Sequence, residues 1–294
     1  MQLLTTAEAA DYLRLKERKL YELVAEGAIP CTKVTGRWLF PKAELDQWLS
    51  SSLVRPDGMV LAEPSPIVGG SHDPLLEWAL RESGCGLASL AEGSDAGLRR
   101  FADGGVVSAA IHLHALESAS IDANVEALRV RAEMRDAVLI AFVRREQGLL
   151  VAPGNSLNLR SIDDVARTKA RMAVRPAGAG AQLLLLALLH RAGIALEKLV
   201  VAGPPAPTGP DVAQAIRAGR ADCGIATHAV ADAAGLGFVP LLWECFDLAM
   251  RRRDYFRPPL QKLLTFQRTP QFAARAAELG GYDLSATAAI RYAP

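Results

Sequence analysis

From Ser50 to Pro66 the chain reads SSSLVRPDGMVLAEPSP, where a serine run, three prolines and a glycine interrupt every hydrophobic period. No helix or strand pattern crosses this stretch, so it separates two units. We place the first over residues 1–52, a linker over 53–66 and the second over 67–294. A length of 294 residues agrees with two domains of unequal size. The chain is 50% hydrophobic and 22% charged, which excludes an intrinsically disordered chain, a collagen and a disulfide mini-scaffold. Lys plus Arg number 33 and Asp plus Glu 32, so the net charge of +1 excludes a uniformly basic nucleic-acid coat. Any nucleic-acid surface must be local.

The first unit carries sharp local signals. Thr5 followed by Glu8 predicts a capping box and a short helix, whose Ala9 and Ala10 allow a second helix to approach closely. That second helix is expected from about Glu17 to Glu26, with Leu20, Leu23 and Val24 on one face and Gly27 as its stop. Two short helices in this order make a helix-turn-helix. Lys33 to Phe40 reads as two short strands around Thr35-Gly36, a wing, and Pro41 opens a last helix that packs Leu45, Trp48 and Leu49 inward. Seven basic residues balance seven acidic ones, but the basic ones crowd the turn, the start of the second helix and the wing. The competing reading is a small three-helix adaptor whose basic residues only solubilise it.

The phrases LTTAEAADYL, KERKLYELVAEGAIPC and KVTGRWLFPKAELDQWL resemble the winged helix-turn-helix of the excisionase and MerR-like group, over nearly all of residues 2–49. The resemblance implies a double-stranded DNA partner, met by Lys16, Arg18, Lys19 and Tyr21 of the recognition helix and by Lys33 and Arg37 of the wing, with Trp38 beside them. Arg14 and Lys16 stand where that group commonly has Gly and Ser in the turn.

The second unit alternates strand and helix signals, which predicts α/β layering with parallel sheets. Ile67 to Gly70 leads through Ser71-His72-Asp73-Pro74 into Leu75, Leu76, Trp78 and Ala79; similar strand, turn, helix passages occur at Gly93-Ser94-Asp95, at Met172 to Gly180 and at Ala221 to His228. Such turns aim backbone N–H groups at the carboxyl edge of a sheet, and several converging would bind an anion. Two apolar stretches, Ala137–Val143 with Gly148–Ala152 and Phe238–Trp243 with Phe246–Met250, read as successive strands with no helix between them. They predict two crossings between two lobes, hence a two-lobed type II periplasmic-binding-protein-like domain.

GGSHDPLLEWAL, REQGLLVAPGN, RPAGAG and ELGGYDLS resemble the bacterial substrate-binding domain related to periplasmic molybdate-binding proteins, over about residues 67–286. By that resemblance Ser71, His72, Gly93, Ser94, the turn from Arg175 through Gly178, Ala179 and Gly180 to Ala181, Thr208 and Thr227 face an interlobe cleft, with His112 and His114 near its mouth. Fused behind a winged helix-turn-helix, such a domain typically serves as the effector sensor of a transcription regulator. Where the family often has a Gly-Ser-Gly-Thr-Arg type turn, this chain has Gly178 to Gln182 without the two hydroxyls and the charge. Molybdate or tungstate, or another small anion such as a carboxylate, then fits.

His112 and His114 share a face of an extended strand, but no third ligand stands at convincing spacing, so no metal and no cofactor is expected. His190 and His228 at sheet edges read as ordinary carbonyl partners. Cys31, Cys85, Cys223 and Cys245 form no C-x-x-C pair and read as reduced thiols. With no export signal or membrane-spanning run read in the sequence, the expected location is the cytoplasm. The function implied is a ligand-responsive, non-enzymatic transcription regulator that binds DNA as a homodimer or higher homo-oligomer. The alternatives are an enzyme using Cys223 or Cys85 beside a histidine, a recombination accessory protein, and an exported solute receptor.

Overall fold

Thr5 and Glu8 close the expected capping box: Glu8 accepts from the Thr5 N–H at 2.7 Å, and the Thr5 hydroxyl accepts from the Glu8 N–H at 3.4 Å. The structure, a computed structural model, describes residues 2–34, 36–51, 63–116 and 122–294. The chain divides into Met1–Pro56 and Asp57–Pro294. The linker expected over 53–66 lies outside the described residues as far as 62. Pro64 is buried and the Ser65 carbonyl accepts the Val107 N–H at 3.1 Å, so the last linker residues already belong to the second unit.

The first unit comprises β1 (Leu3–Leu4), α1 (Thr6–Tyr12), α2 (Glu17–Ala25), β2 (Thr32–Val34), β3 (Arg37–Pro41) and α3 (Lys42–Ser51), with its strands in the antiparallel order β1-β3-β2. Between α1 and α2 the backbone makes the tight turn without glycine: Arg14 takes a φ of 55°, and the Leu15 N–H reaches the Ala10 carbonyl at 2.9 Å. Lys16 is the N-cap of α2 and its side chain caps nothing. Gly27, at φ 65°, ends α2 as expected, with the Ala28 N–H bonded back to Leu23. Leu4, Ala9, Ala10, Leu20, Ile29, Phe40 and Leu45 form the core. Val34 and Arg37 pair across the hairpin turn, of which Thr35 lies outside the described residues. Two expectations are corrected. Pro41 ends β3, paired with Leu3, instead of opening α3, and Leu49 is 40% exposed because α3 needs only Leu45 and Trp48 to close the core.

In the second unit a first lobe is built from β4 (Ile67–Gly70), α4 (Pro74–Glu82), β5 (Ala88–Ala91), α5 (Ser94–Ala102), β6 (Ser108–Ile111) and α6 (Ala123–Arg129). β7 (Ala137–Val151) crosses to a second lobe of α7 (Ile162–Thr168), β8 (Arg171–Ala173), α8 (Gly180–Arg191), β9 (Val200–Val201), α9 (Gly209–Arg217), β10 (Cys223–Thr227) and α10 (His228–Ala234). β11 (Gly237–Arg251) returns, and α11 (Arg252–Tyr255), α12 (Pro258–Phe266), α13 (Pro270–Leu279), β12 (Tyr282–Asp283) and β13 (Ile290–Tyr292) complete the first lobe.

The expected successive strands are therefore two continuous 15-residue strands, β7 and β11, which pair antiparallel along their whole length. Within the lobes, β5-β4-β6 and β10-β8-β9 are parallel, as the strand-helix alternation predicts. Helices cover both faces of each lobe. Leu75, Leu76, Leu260 and Phe272 pack on one face of the first, Leu98, Phe101 and Leu128 on the other. Leu184, Leu185 and Val165 pack on one face of the second, Val212, Ile216 and Val230 on the other. Among the described residues no helix is long and apolar enough to cross a membrane.

Candidate functional site

On the first unit, Lys16, Arg18, Lys19 and Tyr21 are all exposed near the start of α2, and Lys33 and Arg37 are exposed on the hairpin. Glu22 approaches both Arg18 Nε (3.4 Å) and Lys19 Nζ (3.2 Å), ion pairs that water weakens at such exposure. The Lys33 ammonium lies 5.2 Å from the centre of the Trp38 ring, which keeps it on the hairpin surface.

In the second unit the Ser71-His72-Asp73 turn follows β4 because two glycines permit it. Gly70 has a φ of 105°, and a Cβ there would lie 2.3 Å from the Ala110 carbonyl oxygen. A Cβ on Gly97 would lie 2.3 Å from the Gly70 Cα, so α5 can approach the turn only without a side chain. The start of α5 is then held by hydroxyls: Ser94 Oγ lies 2.7 Å from Ser71 Oγ and accepts the His112 N–H at 3.0 Å.

Beneath the turn lies a buried network centred on Glu244 of β11. Its Oε1 accepts from Arg145 Nε (2.7 Å) and Gln147 Nε2 (2.9 Å), and its Oε2 meets His112 Nδ1 (3.0 Å) and His114 Nε2 (2.8 Å). Arg145 also donates to Asp73 at 2.8 Å and lies over the Phe246 ring at 4.0 Å. The other Asp73 oxygen caps α4 at Leu75 and Leu76, each at 2.9 Å. Burial opposes a charge on Glu244, but His112, Arg145 and His114 outweigh it and hold the carboxyl well below its usual range. Burial, reinforced by the Arg145 charge, pushes His112 down to about 4 and leaves the ring neutral.

Glu244 is also the third group that the sequence reading lacked for a metal site. One ligand atom each from His112, His114 and Glu244 lies within 4.8 Å of the others. Both Glu244 oxygens already meet two protein groups each, however, so the carboxylate is satisfied as it stands.

The second lobe faces this network with the Arg175 turn and the N-terminus of α8. The lobes touch here: the Asp95 N–H donates to the Gly178 carbonyl at 3.2 Å, and a Cβ on Gly180 would lie 2.2 Å from the His112 carbonyl oxygen. Between them is a cavity of about 20 Å³, room for very few heavy atoms. Arg175 lines it with Nε and one terminal nitrogen bonded to the carbonyls of Ala206 (2.8 Å) and Pro207 (2.7 Å); among the described residues it has no carboxylate partner. Burial and the nearby Arg145 charge lower its pKa to about 10, so it stays cationic.

Of the residues expected at the cleft, Ser71, His72, His112, Arg175, Ala179, Gly180 and Thr227 line this one cavity. Ser94 lies behind it, fully buried, and fixes Ser71 and His112. Three residues go elsewhere. Gly93 packs against Ala179, where a Cβ would lie 3.3 Å from the Ala179 Cα. Gly178 packs against Asp95, where a Cβ would meet Asp95 Cβ at 3.1 Å, and the Thr208 hydroxyl is used in a capping box with Asp211 that starts α9. Arg145, Gln147 and Glu244 were not foreseen. The signal for the first two is a polar run, Arg144 to Gln147, inside an otherwise apolar 15-residue strand; Glu244 stands on the other hinge strand, outside that run. Cys223, the candidate nucleophile, is pushed by burial up to about 12, the opposite of an activated thiol. Cys85 is buried with its thiol 3.5 Å from the Leu80 carbonyl.

Comparison with known proteins agrees with this architecture. Residues 3–52 match a helix-turn-helix domain, and residues 77–268 match the PBP superfamily domain. Protein YvgK of Bacillus subtilis is 24% identical over 97% of this chain and 96% of its own length. A protein from Clostridium perfringens described as a phosphate ABC transporter substrate-binding protein, with phosphate bound, gives a TM-score of 0.54 at 10% identity over 72% of this chain and 96% of that one. The sulfate-binding protein SubI of Mycobacterium tuberculosis gives 0.51 at 15% identity over 73% and 84%. A cysteine mutant of OxyR from Corynebacterium glutamicum gives 0.50 at 14% identity over 94% and 89%. With two hinge strands joining two α/β lobes and a domain match spanning more than half of its length, this chain belongs to the PBP superfamily.

Proposed function

We propose that this protein is a ligand-responsive DNA-binding transcription regulator whose second unit takes a small anion between its lobes. The observation that carries the sensor half is Arg175, a partly buried cation with no carboxylate partner among the described residues, on the wall of the cavity between the lobes. A buried charge of this kind is costly until a counter-charge joins it. The first turn of α8 adds unpaired N–H groups and a partial positive charge at Gly180 and Ala181. Thr227 Oγ1 is buried there without a partner among the described residues and can donate to the same ligand. An inorganic oxyanion such as molybdate or tungstate, or a small carboxylate, meets these groups. The phosphate and sulfate named for two similarly folded proteins are of the same class.

The DNA-binding half rests on the helix-turn-helix match and on the exposed Lys16, Arg18, Lys19, Tyr21, Lys33 and Arg37. A module this small makes few phosphate contacts, so two chains on one operator complete the site. An anion that favours the closed lobes changes DNA affinity by the factor by which DNA changes anion affinity. The test is calorimetric titration of anions into the full chain, followed by DNA binding with and without the anion that binds. Arg175→Met should weaken the anion at least tenfold. Arg18→Ala with Lys19→Ala should lower the salt slope of DNA binding by about 2. If no small anion binds, or Arg175→Met binds it unchanged, the sensor reading is wrong; an unchanged salt slope rejects the recognition-helix assignment.

A further inference from the structure

We propose that the cleft selects small anions that carry a hydrogen-bond donor of their own, and rejects those that present only acceptors. The inference rests on the anion reading above and adds what kind of anion fits.

It follows from the chemistry of Glu244. An ionised carboxylate can only accept hydrogen bonds, so whatever touches it must donate. Gln147 therefore turns its amide nitrogen to Glu244, at 2.9 Å, which fixes the other end of the amide as oxygen. That oxygen is buried, has no hydrogen-bond partner among the described residues, and belongs to a residue on the cavity wall. His112 is fixed in the same way. Its Nδ1 lies 3.0 Å from Glu244 Oε2 and must carry the proton, so in the neutral ring Nε2 holds a lone pair. No described residue donates to that nitrogen, and His112 too lines the cavity.

The cavity thus has two chemistries. Arg175, Thr227 and the first turn of α8 offer donors to anionic oxygens, while Gln147 and His112 offer acceptors from the other lobe and the hinge strand. A fully deprotonated oxyanion satisfies only the first set and sets its own oxygens against the second. A ligand with an O–H or N–H group satisfies both. Leaving a buried acceptor unpaired lowers affinity by roughly 10- to 100-fold. At neutral pH phosphate carries at least one proton, whereas sulfate, molybdate and tungstate carry none. Among carboxylates, glycolate has a hydroxyl donor that acetate lacks. The cavity of about 20 Å³ keeps the choice among ligands of this size.

The test is isothermal titration calorimetry of the full chain at neutral pH and fixed ionic strength, with phosphate against sulfate and molybdate, and glycolate against acetate. The expected result is that the donor-bearing member of at least one comparison binds tenfold or more tightly than its partners. The inference is overturned if, in every comparison where binding is seen, sulfate, molybdate or acetate binds as tightly as its donor-bearing counterpart, a result that leaves the anion reading standing. If none of the five binds, the anion reading falls and takes this inference with it. Gln147→Met removes one acceptor at similar side-chain length, and should shrink the preference at least fivefold while sulfate binding holds or improves. An undiminished preference in a folded variant also overturns the inference. The wild-type comparison decides the matter by itself where the variant does not fold.

Discussion

Arg145 and Glu244 stand directly opposite one another across the two hinge strands, with Nε 2.7 Å from Oε1 and both side chains almost wholly buried. The pair fixes the register of β7 against β11 where the chain crosses between lobes. It is also shared, because Arg145 holds Asp73 and Glu244 holds Gln147 and both histidines. Arg145→Met strands two buried carboxylates and should cost roughly 3–5 kcal/mol in urea unfolding. Glu244→Gln removes one of the two carboxylates that hold Arg145 and leaves it only Asp73. Because each change breaks the same network, the double variant should lose clearly less than the sum of the singles. Additive losses would mean that the two side chains do not act as one unit.

His112 makes stability depend on pH in a definite direction. Its folded pKa of about 4 lies below the value near 6.5 expected when unfolded, so the unfolded chain binds the proton first. The stabilisation is complete above pH 6.5, declines as pH falls, and is gone below about 4. Asp247 works the other way, since burial raises its carboxyl to about 6 and protonation in the folded state favours folding over part of the same range. The wild-type curve alone therefore mixes two opposed slopes. The informative quantity is the stability difference between wild type and His112→Gln, which should shrink between pH 6.5 and 4 in denaturant titrations. A difference that stays constant across that range would contradict a neutral, buried His112.

What the sequence disclosed follows from how local each signal is. Helix starts at Thr5 and Asp73 are readable because a cap and its partners lie within a few residues. Cavity residues on strand-turn-helix junctions came with them, as Ser71, Arg175, Gly180 and Thr227 did. Thr208 reads as a cleft residue, yet its Thr-x-x-Asp spacing carries the box that occupies its hydroxyl. Glu244 could not be found this way. Its partners Arg145, Gln147, His112 and His114 lie about 100 residues or more away in sequence, and only the pairing of the hinge strands brings them together. The hinge strands themselves read as four pieces because the polar run Arg144 to Gln147 interrupts one and Glu244-Cys245 the other.

The turn between α1 and α2 keeps its shape with two unfavourable residues. Arg14 holds a left-handed φ of 55°, and Lys16 caps α2 with no side-chain bond. Arg14→Gly relieves the backbone and Lys16→Ser supplies an oxygen for the first-turn N–H groups, each worth about 1 kcal/mol. Hydrogen exchange at the Leu20 and Leu23 amides in the full chain should slow about fivefold with either change. Lys16→Ser should also weaken DNA binding, because it removes a cation from the proposed interface, whereas Arg14 lies outside that set and Arg14→Gly tests the turn by itself. Unchanged protection in both variants would show that the turn is not the weak point of α2.

Gly180 and Gly97 are both glycines under backbone pressure, and they should fail in different ways. A Cβ on Gly97 would lie 2.3 Å from the Gly70 Cα inside the first lobe, where nothing can move aside without unpacking α5 from β4. Gly97→Ala should therefore lower unfolding stability, by roughly 1–3 kcal/mol. A Cβ on Gly180 would lie 2.2 Å from the His112 carbonyl oxygen and 2.3 Å from its ring, but these atoms belong to the other lobe. The hinge strands can relieve that clash by letting the lobes part, and alanine suits the first turn of α8. Gly180→Ala should thus keep its unfolding stability within about 1 kcal/mol, scatter X-rays as a more open molecule, and lose at least tenfold in affinity for whichever anion the wild type binds. Tight anion binding in this variant would show that the closed contact between Gly180 and His112 is not the arrangement that holds the ligand.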